Sequence, residues 1–282
     1  MNCQLLKECR VCGSQDLVKY LDLGELPLAN GLLESQRGSD RYSLQVLFCQ
    51  KCSLSQLSLI VDPKILYSNY PYRSSTSKTF KIHAYQLVKK LKDQYFSTIV
   101  KSDRLEFPTI VDIGANDGCL LHEAKKLGFK NLVAIEPDSS MNDDIGGDVT
   151  ILNNLFSNSI KNDIRLAFNA FSIDSNFATA TNVLAHTDNL KEFLDNVECV
   201  INPKGVLVIE VPHVVSMIEN VEFDTVYHEH LSYFTLKSLL HLFSLTKLRI
   251  FRVEKISIHG GGLRVYADFG IRKVGSSVKK VL

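Results

Sequence analysis

No run of apolar residues in this 282-residue chain approaches the roughly 20 that a membrane-spanning helix requires. The sequence therefore predicts no membrane span and no membrane partner. The stretch from Met1 to Cys9 lacks an apolar core of signal-peptide length, and a cytoplasmic protein is the expectation. An excess of one charge is also missing. Lys plus Arg is 32 against 31 for Asp plus Glu, and a net charge of +1 offers no general attraction to nucleic acid. Internal repeats and low-complexity tracts are absent. The seven cysteines are odd in number, which speaks against a disulfide framework in a cytosolic chain. Nor is apolar content low enough for disorder: 45% hydrophobic and 22% charged residues are ordinary for a globular protein. A chain of this length predicts about two domains and a core that needs no disulfide.

Four of the cysteines stand in two pairs, Cys9-x-x-Cys12 and Cys49-x-x-Cys52. Two-residue spacing lets both sulfurs of a knuckle face one ion at tetrahedral angles. Gly13 permits the tight turn such knuckles use, and Arg10 and Lys51 offset the charge of a four-thiolate centre. Four thiolates leave no open position, so the Zn2+ would be structural. A redox dithiol needs one pair near a thioredoxin-like βαβ pattern, which is absent here; an iron–sulfur cluster is the other alternative.

Along the chain, residues 1–75 read as a small metal-nucleated module with short strands such as Tyr42 to Phe48. In 76–105, Phe80, Ala84, Leu87, Val88, Leu91 and Tyr95 recur at helical spacing and predict one linking helix. From 106 to 255 strands and helices alternate. The strands are Thr109 to Ile113, Leu132 to Ile135, Val149 to Leu152, Phe177 to Val183 and Gly205 to Val211. Helices are expected through Lys126, over Leu190 to Val197 and over Leu236 to Leu245, with later strands at Leu248 to Val253 and Leu263 to Phe269. Such alternation predicts an α/β fold with a doubly wound, Rossmann-like sheet.

The first of these strands runs into Asp112-Ile113-Gly114-Ala115-Asn116-Asp117-Gly118 and then a helix. Gly114 and Gly118 allow close backbone approach to a ligand. This is neither the dinucleotide Gly-x-Gly-x-x-Gly nor a phosphate loop, since it has no Lys. Asp112 would repel a pyrophosphate and suits a ligand bearing an amine and a sulfonium. Glu136, ending the next strand, suits two ribose hydroxyls. Together they predict an S-adenosylmethionine site, with Asp112, Gly114, Asn116, Gly118, Glu136 and Asn182 around it. The bland alternative is an α/β turn with no ligand.

After the fifth strand comes Phe223-Asp224-Thr225-Val226-Tyr227-His228-Glu229-His230-Leu231-Ser232-Tyr233-Phe234, placed where open sheets bind ligands. His228 and His230 would share one face of a strand and could hold a metal; a purely structural role is also open. His186 could line the cofactor or be structural. His259, before three glycines, could approach a diphosphate or sit in a hairpin turn.

The chain resembles the nucleotide-sugar C-methyltransferases of deoxysugar biosynthesis. The matching stretches are Cys9 to Gly13, Leu21-Asp22-Leu23-Gly24, Pro27-Leu28-Ala29-Asn30, the second Cys pair and Tyr70-Pro71-Tyr72-Arg73-Ser74-Ser75. They continue through Val111 to Gly118, Asn182 to His186, Glu210-Val211-Pro212, Phe223 to Phe234 and His259 to Val265. The resemblance implies methyl transfer from S-adenosylmethionine to a carbon alpha to a ketone of a nucleotide-linked keto-deoxysugar. It implies His230 as the base, with Glu229 and Tyr227 orienting or polarising the sugar. Tyr72, or Tyr70, would reach in from the zinc module. The alternatives are a remnant that keeps the zinc and cofactor fold, and a small-molecule O-methyltransferase. Members of this family usually continue into a second α/β domain. Residues 256–282 would begin that domain, Leu263 to Phe269 being a first strand without neighbours. A partner chain could then supply the missing part.

Overall fold

The computed structural model describes residues 3–30, 40–66, 71–99, 107–164, 166 and 175–282. The N-terminal module is built on strands. β1 (Cys3–Leu5) pairs antiparallel with β5 (Leu59–Val61), while β2 (Leu17–Leu26), β3 (Tyr42–Cys49) and β4 (Ser55–Leu57) form an antiparallel ladder. β2 carries three charged residues and alternates partly buried with exposed positions, so it takes the solvated edge of that ladder.

Residues 76–105 do more than link. α1 (Lys78–Leu91) starts at Ser77, whose side chain accepts the Phe80 amide, and runs on into a π turn over Lys92–Phe96. Its apolar stripe, Phe80, Ala84, Leu87, Val88 and Leu91, is buried in one core with Ile110, Leu132, Phe177 and Val208. The helix thus belongs to one face of the central sheet.

That sheet has seven strands. After β6 (Thr109–Ile113) and α2 (Cys119–Lys126) come β7 (Asn131–Ile135), β8 (Thr150–Leu152), β9 (Phe177–Thr181), α3 (Leu190–Val197) and β10 (Val206–Pro212). The chain continues through α4 (Val214–Glu219), β11 (Ser232–Tyr233), α5 (Leu236–Ser244), β12 (Arg249–Ile256) and β13 (Gly262–Asp268). The spatial order is β12-β13-β10-β9-β6-β7-β8. The five strands from β8 to β10 are parallel, and the inner ones read as unbroken apolar runs because both faces are covered. Alternate residues of one strand serve the two cores: Val111 and Ile113 point to the face that α3 and α5 cover, Ile110 to the face that α1 covers. This is the doubly wound α/β architecture that the strand–helix alternation predicts.

Two expectations fail here. The strand at Gly262–Asp268 is not without neighbours. It lies between β10 and β12, antiparallel to both, and every residue of it is buried. The cause is the turn at Ile258–Gly260, where Gly260 (φ 75°) and Gly261 (φ 113°) take backbone angles closed to other residues and fold β12 and β13 into a hairpin. The zinc module is also not set apart. β11 adds to its ladder through β4, and Cys9, Cys49, Cys52 and Leu54 share one apolar core with Val111, Ile113 and Leu236. No helix among the described residues is long and apolar enough to cross a membrane.

Candidate active site

Each cysteine pair closes on its own turn. Gly13 N donates to Cys9 O at 2.9 Å and Ser53 N to Cys49 O at 2.9 Å, with Gly13 and Ser53 both left-handed. The two knuckles face each other. Cys9 Sγ stands 3.4 Å from Cys52 Sγ, Cys12 Sγ stands 3.5 Å from Cys49 Sγ, and all four sulfurs lie within 4.8 Å. Zinc–sulfur bonds of about 2.3 Å put tetrahedral sulfurs about 3.8 Å apart, so the set fits one Zn2+ with no ligand position left open. A hydrogen bond from Cys52 holds the Cys9 thiol below its ordinary pKa. Lys51 is exposed, but Arg10 is not, and its guanidinium reaches away from the sulfurs. Burial brings Arg10 down to about 10, which still leaves it charged at neutral pH.

A cavity of about 1080 Å³ opens beyond the carboxyl ends of the parallel strands. Asp112, Gly114, Asn116, Glu136 and Asn182 all line it. Asp112 is buried, accepts from Thr179 Oγ1 at 2.7 Å, and is pushed up to about 8 by burial and then by Glu136 and Glu210. Gly114 sits at φ 67°, and a Cβ there would meet Val183 Cγ2 at 2.5 Å. A side chain there would displace Val183, which also lines the cavity. Glu136 accepts from Asn116 N at 2.8 Å and Asp138 N at 3.0 Å, and burial raises its pKa. A neutral Asp112 carboxyl and the Glu136 side chain beside the Gly114 turn offer acceptors that fit the amine and ribose of S-adenosylmethionine.

Two of the expected cofactor residues serve differently. Gly118 is not on the cavity wall; its left-handed backbone starts α2, and a Cβ would press on Ile145 Cα at 3.1 Å. It is there for helix packing. Asn116 lines the cavity, but its side chain holds the segment that carries Tyr72: Oδ1 accepts from Ser74 N at 2.9 Å and Nδ2 donates to Tyr72 O at 3.1 Å. Asp117 Oδ2 adds a bond from Ser75 N at 2.8 Å. The glycine turn thus clamps the strap above it.

Tyr72, His186, Tyr227 and His230 line the same cavity. His230 Nδ1 lies 3.1 Å from the Thr225 carbonyl, which can only accept, so Nδ1 carries the proton. Nε2 then accepts from the Tyr227 hydroxyl at 2.9 Å. Burial, with Glu229 and Tyr72 nearby, keeps the Tyr227 phenol above its ordinary pKa and protonated. The His186 ring meets the His230 ring edge-on at 4.8 Å between centroids. Burial holds His186 well below 6.5, so it stays neutral.

Glu229 is absent from this wall. Its side chain is buried and Oε1 accepts from Asn30 Nδ2 at 2.7 Å, which ties the segment to the zinc module. Nor do His228 and His230 pair for a metal. The chain turns through them instead of running as a strand, and His228 Nε2 donates to the Tyr42 carbonyl at 3.1 Å. Among the described residues, the four cysteines are the group that can hold an ion. Tyr70 and the side chain of His259 lie outside the described residues; the His259 backbone is in the β12–β13 turn.

Two motifs turn out to be one buried cluster. Glu210 and Arg264 face each other across β10 and β13, Arg264 Nε donating to Glu210 Oε1 at 2.5 Å. His83 of α1 closes the group, its Nε2 standing 2.7 Å from Glu210 Oε2. Arg264 and His83 hold Glu210 ionised against burial. Sequence separations of 54 and 127 residues hid this from any reading of spacing.

Residues 9–67 match the family described as "Putative zinc binding domain", and residues 81–251 match the family described as "Methyltransferase domain". The chain is 29% identical over 268 residues to C-methyltransferase NovU of Streptomyces niveus, which covers 93% of this chain. It spans 60% of that relative's length. Among solved structures, it is similar to magnesium protoporphyrin IX methyltransferase of Synechocystis PCC 6803. The identity is 9%, the TM-score 0.48, and 66% of this chain and 82% of that one are covered. The plantazolicin methyltransferase BpumL gives 12% identity and a TM-score of 0.49, covering 66% of this chain and 84% of that one.

Proposed function

The chain belongs to the methyltransferase-domain family, and from that premise we propose that it methylates a carbon beside a ketone in a nucleotide-linked deoxysugar. Its fold is that of S-adenosylmethionine-dependent enzymes, and its N-terminal module is a zinc site. The observation that carries the proposal is the 2.9 Å Tyr227–His230 contact in the cavity that Gly114 and Glu136 also line. The sequence likeness to a C-methyltransferase, running through 93% of this chain, supports it.

A C–H bond beside a ketone needs a base of near-neutral pKa and a donor for the developing enolate oxygen. His230 is the base: its Nε2 accepts while Nδ1–H is held by Thr225. In the resting geometry the Tyr227 hydroxyl occupies Nε2. The proton leaving the carbon therefore passes to the Tyr227 oxygen as the phenolic proton moves to Nε2, and no free phenolate forms. Tyr72, a phenol protonated at neutral pH, donates to the enolate oxygen. Asp112 and Glu136 bind the amine and ribose ends of the donor. S-Adenosylmethionine, when bound, supplies the electrophilic methyl group that the carbanion carbon takes up.

The test is exchange of the sugar's α-hydrogen for solvent deuterium, measured across a panel of nucleotide-linked keto-deoxysugars. A substrate should exchange with the wild-type protein and gain a C-methyl group when donor is added. His230→Ala should slow exchange by about 10²–10⁴-fold while donor binding persists. A methyl group found on oxygen, with no exchange, would overturn the proposal. Exchange that survives Tyr227→Phe would remove the relay.

A further inference from the structure

Arg10 is part of the first zinc knuckle, yet its guanidinium serves a different place. Nη1 donates to Ser232 Oγ at 2.6 Å, and Nη2 donates to the Thr187 carbonyl and, at 2.6 Å, to the Asp188 carbonyl. The Asp188 carboxylate stands 3.6 Å away, and the Arg10 side chain is 4% exposed. The Arg10 amide donates to Gln56 Oε1 at 2.9 Å, and Gln56 faces Ser232 in the β4–β11 pair. One residue between two metal ligands therefore grips both partners of that pair and a third segment as well.

The gripped segments carry the site. Thr187 follows His186, Ser232 is two residues past His230, and Thr187 and Asp188 line the cavity themselves. The two segments also meet through Leu231 N and Ala185 O at 2.8 Å. Arg10 and that bond fix the histidine rings 4.8 Å apart. A planar fork of donors can serve acceptors on two segments at once, whereas an ammonium group cannot keep that geometry. The backbone of Arg10 is in turn fixed by Cys9 and Cys12.

We propose that Arg10 is a positioning residue that couples metal occupancy of the four-cysteine site to the His186–His230 pair and to ligand affinity in the cavity. The proposal rests on the zinc and methyltransferase readings above. Coupling between two sites is reciprocal, so a ligand in the cavity must tighten zinc by the factor by which zinc tightens the ligand.

The experiment measures zinc affinity by competition with a chelator, with and without saturating S-adenosylhomocysteine, on the full chain. Wild type should hold zinc about fivefold or more tightly with the ligand present. In zinc-loaded Arg10→Met that ratio should fall below about twofold, and Arg10→Lys should recover only part of it. A second readout needs no ligand: the imidazole nitrogen signals of His186 and His230, by NMR, should shift between wild type and zinc-loaded Arg10→Met. An unchanged ratio in Arg10→Met, or no ratio in a wild type that binds the ligand, overturns the proposal. If S-adenosylhomocysteine does not bind at all, the donor reading fails and the histidine signals decide: unmoved signals overturn the role of Arg10, moved signals uphold it. Should Arg10→Met lose its zinc, Ser232→Ala and Asp188→Asn leave the knuckle intact and must move the same signals.

Discussion

The proposed donor wall of the cavity comes from one short stretch, Asp112 to Asn116, with Glu136 at the end of the neighbouring strand; a second set of lining residues, Tyr72, His186, Tyr227 and His230, is gathered from distant segments. The first is held by the sheet itself. Its geometry follows from a parallel strand pair and two left-handed glycines. The second is held from outside the sheet, by Asn116 and Asp117 on the Tyr72 strap, by Asn30 on Glu229, and by Arg10 on the histidine segments. Two of those four struts, Asn30 and Arg10, stand in the zinc module. The difference predicts that a structural metal bears directly on the second set and reaches the first only through the cavity and ligand that the two share.

The largest expected effect separates the halves directly. Cys52→Ala should abolish zinc binding, which is worth on the order of 10–16 kcal/mol at structural sites. Metal analysis should find almost no zinc, and limited proteolysis should cut within residues 3–66. Methyl transfer should fall by about 10²-fold or more, since misplacement by about 1 Å already costs that much. Far-UV circular dichroism of the sheet should persist. Loss of the entire fold would show that the shared core of Cys9, Cys49 and Val111 makes the two regions inseparable.

Glu210→Ala attacks the sheet side. It leaves the Arg264 charge, 5% exposed, with the more distant Glu254 carboxylate at 3.5 Å, and breaking such a buried pair costs up to about 3–5 kcal/mol. Urea unfolding should register that loss while zinc content stays unchanged. Gly114→Ala is more local. Strain at φ 67° and the 2.5 Å approach to Val183 should cost about 1–3 kcal/mol and remove calorimetrically detectable donor binding. Zinc affinity measured without ligand should not move.

The smallest effect is a slope with pH. Asp112 has an ordinary pKa of 3.8 and is raised to about 8 in the folded protein. Between those values the folded state holds a proton that the unfolded chain has released. Stability contributed by the protonated form is therefore lost as pH rises toward and through 8, by roughly 1 kcal/mol over the last unit. Asp112→Asn keeps the shape and cannot ionise, so its denaturation midpoint should decline less between pH 6.5 and 8.5. Equal slopes would mean that Asp112 ionises freely in the fold.

The donor side was legible because its evidence is local. An apolar strand, a glycine turn and an acidic residue ending the next strand are adjacent in the chain, and the sheet brings them together with little choice. Even there, Gly118 was assigned to the ligand when it serves Ile145, since a glycine in a sequence shows only that a side chain is excluded, not by what. The cysteine pairs were legible for the same local reason. The acceptor side was legible only through resemblance, and incompletely. Tyr227, His230 and Tyr72 reach the cavity, but Glu229 turns toward Asn30, 199 residues earlier.

Composition, cysteine spacing and strand–helix alternation by themselves determined that this chain forms a zinc knuckle pair and a doubly wound sheet with a glycine turn at the carboxyl end of its first parallel strand. Those features rest on periods and turns within a few residues. Only the tertiary structure decided that Gly262–Asp268 enters the middle of the sheet, that Glu210, Arg264 and His83 form one buried cluster, and that Arg10 spans from metal to histidines. Each of these joins groups more than 50 residues apart, and such partners are chosen by burial and by hydrogen-bond satisfaction in the packed core, neither of which leaves a local signature.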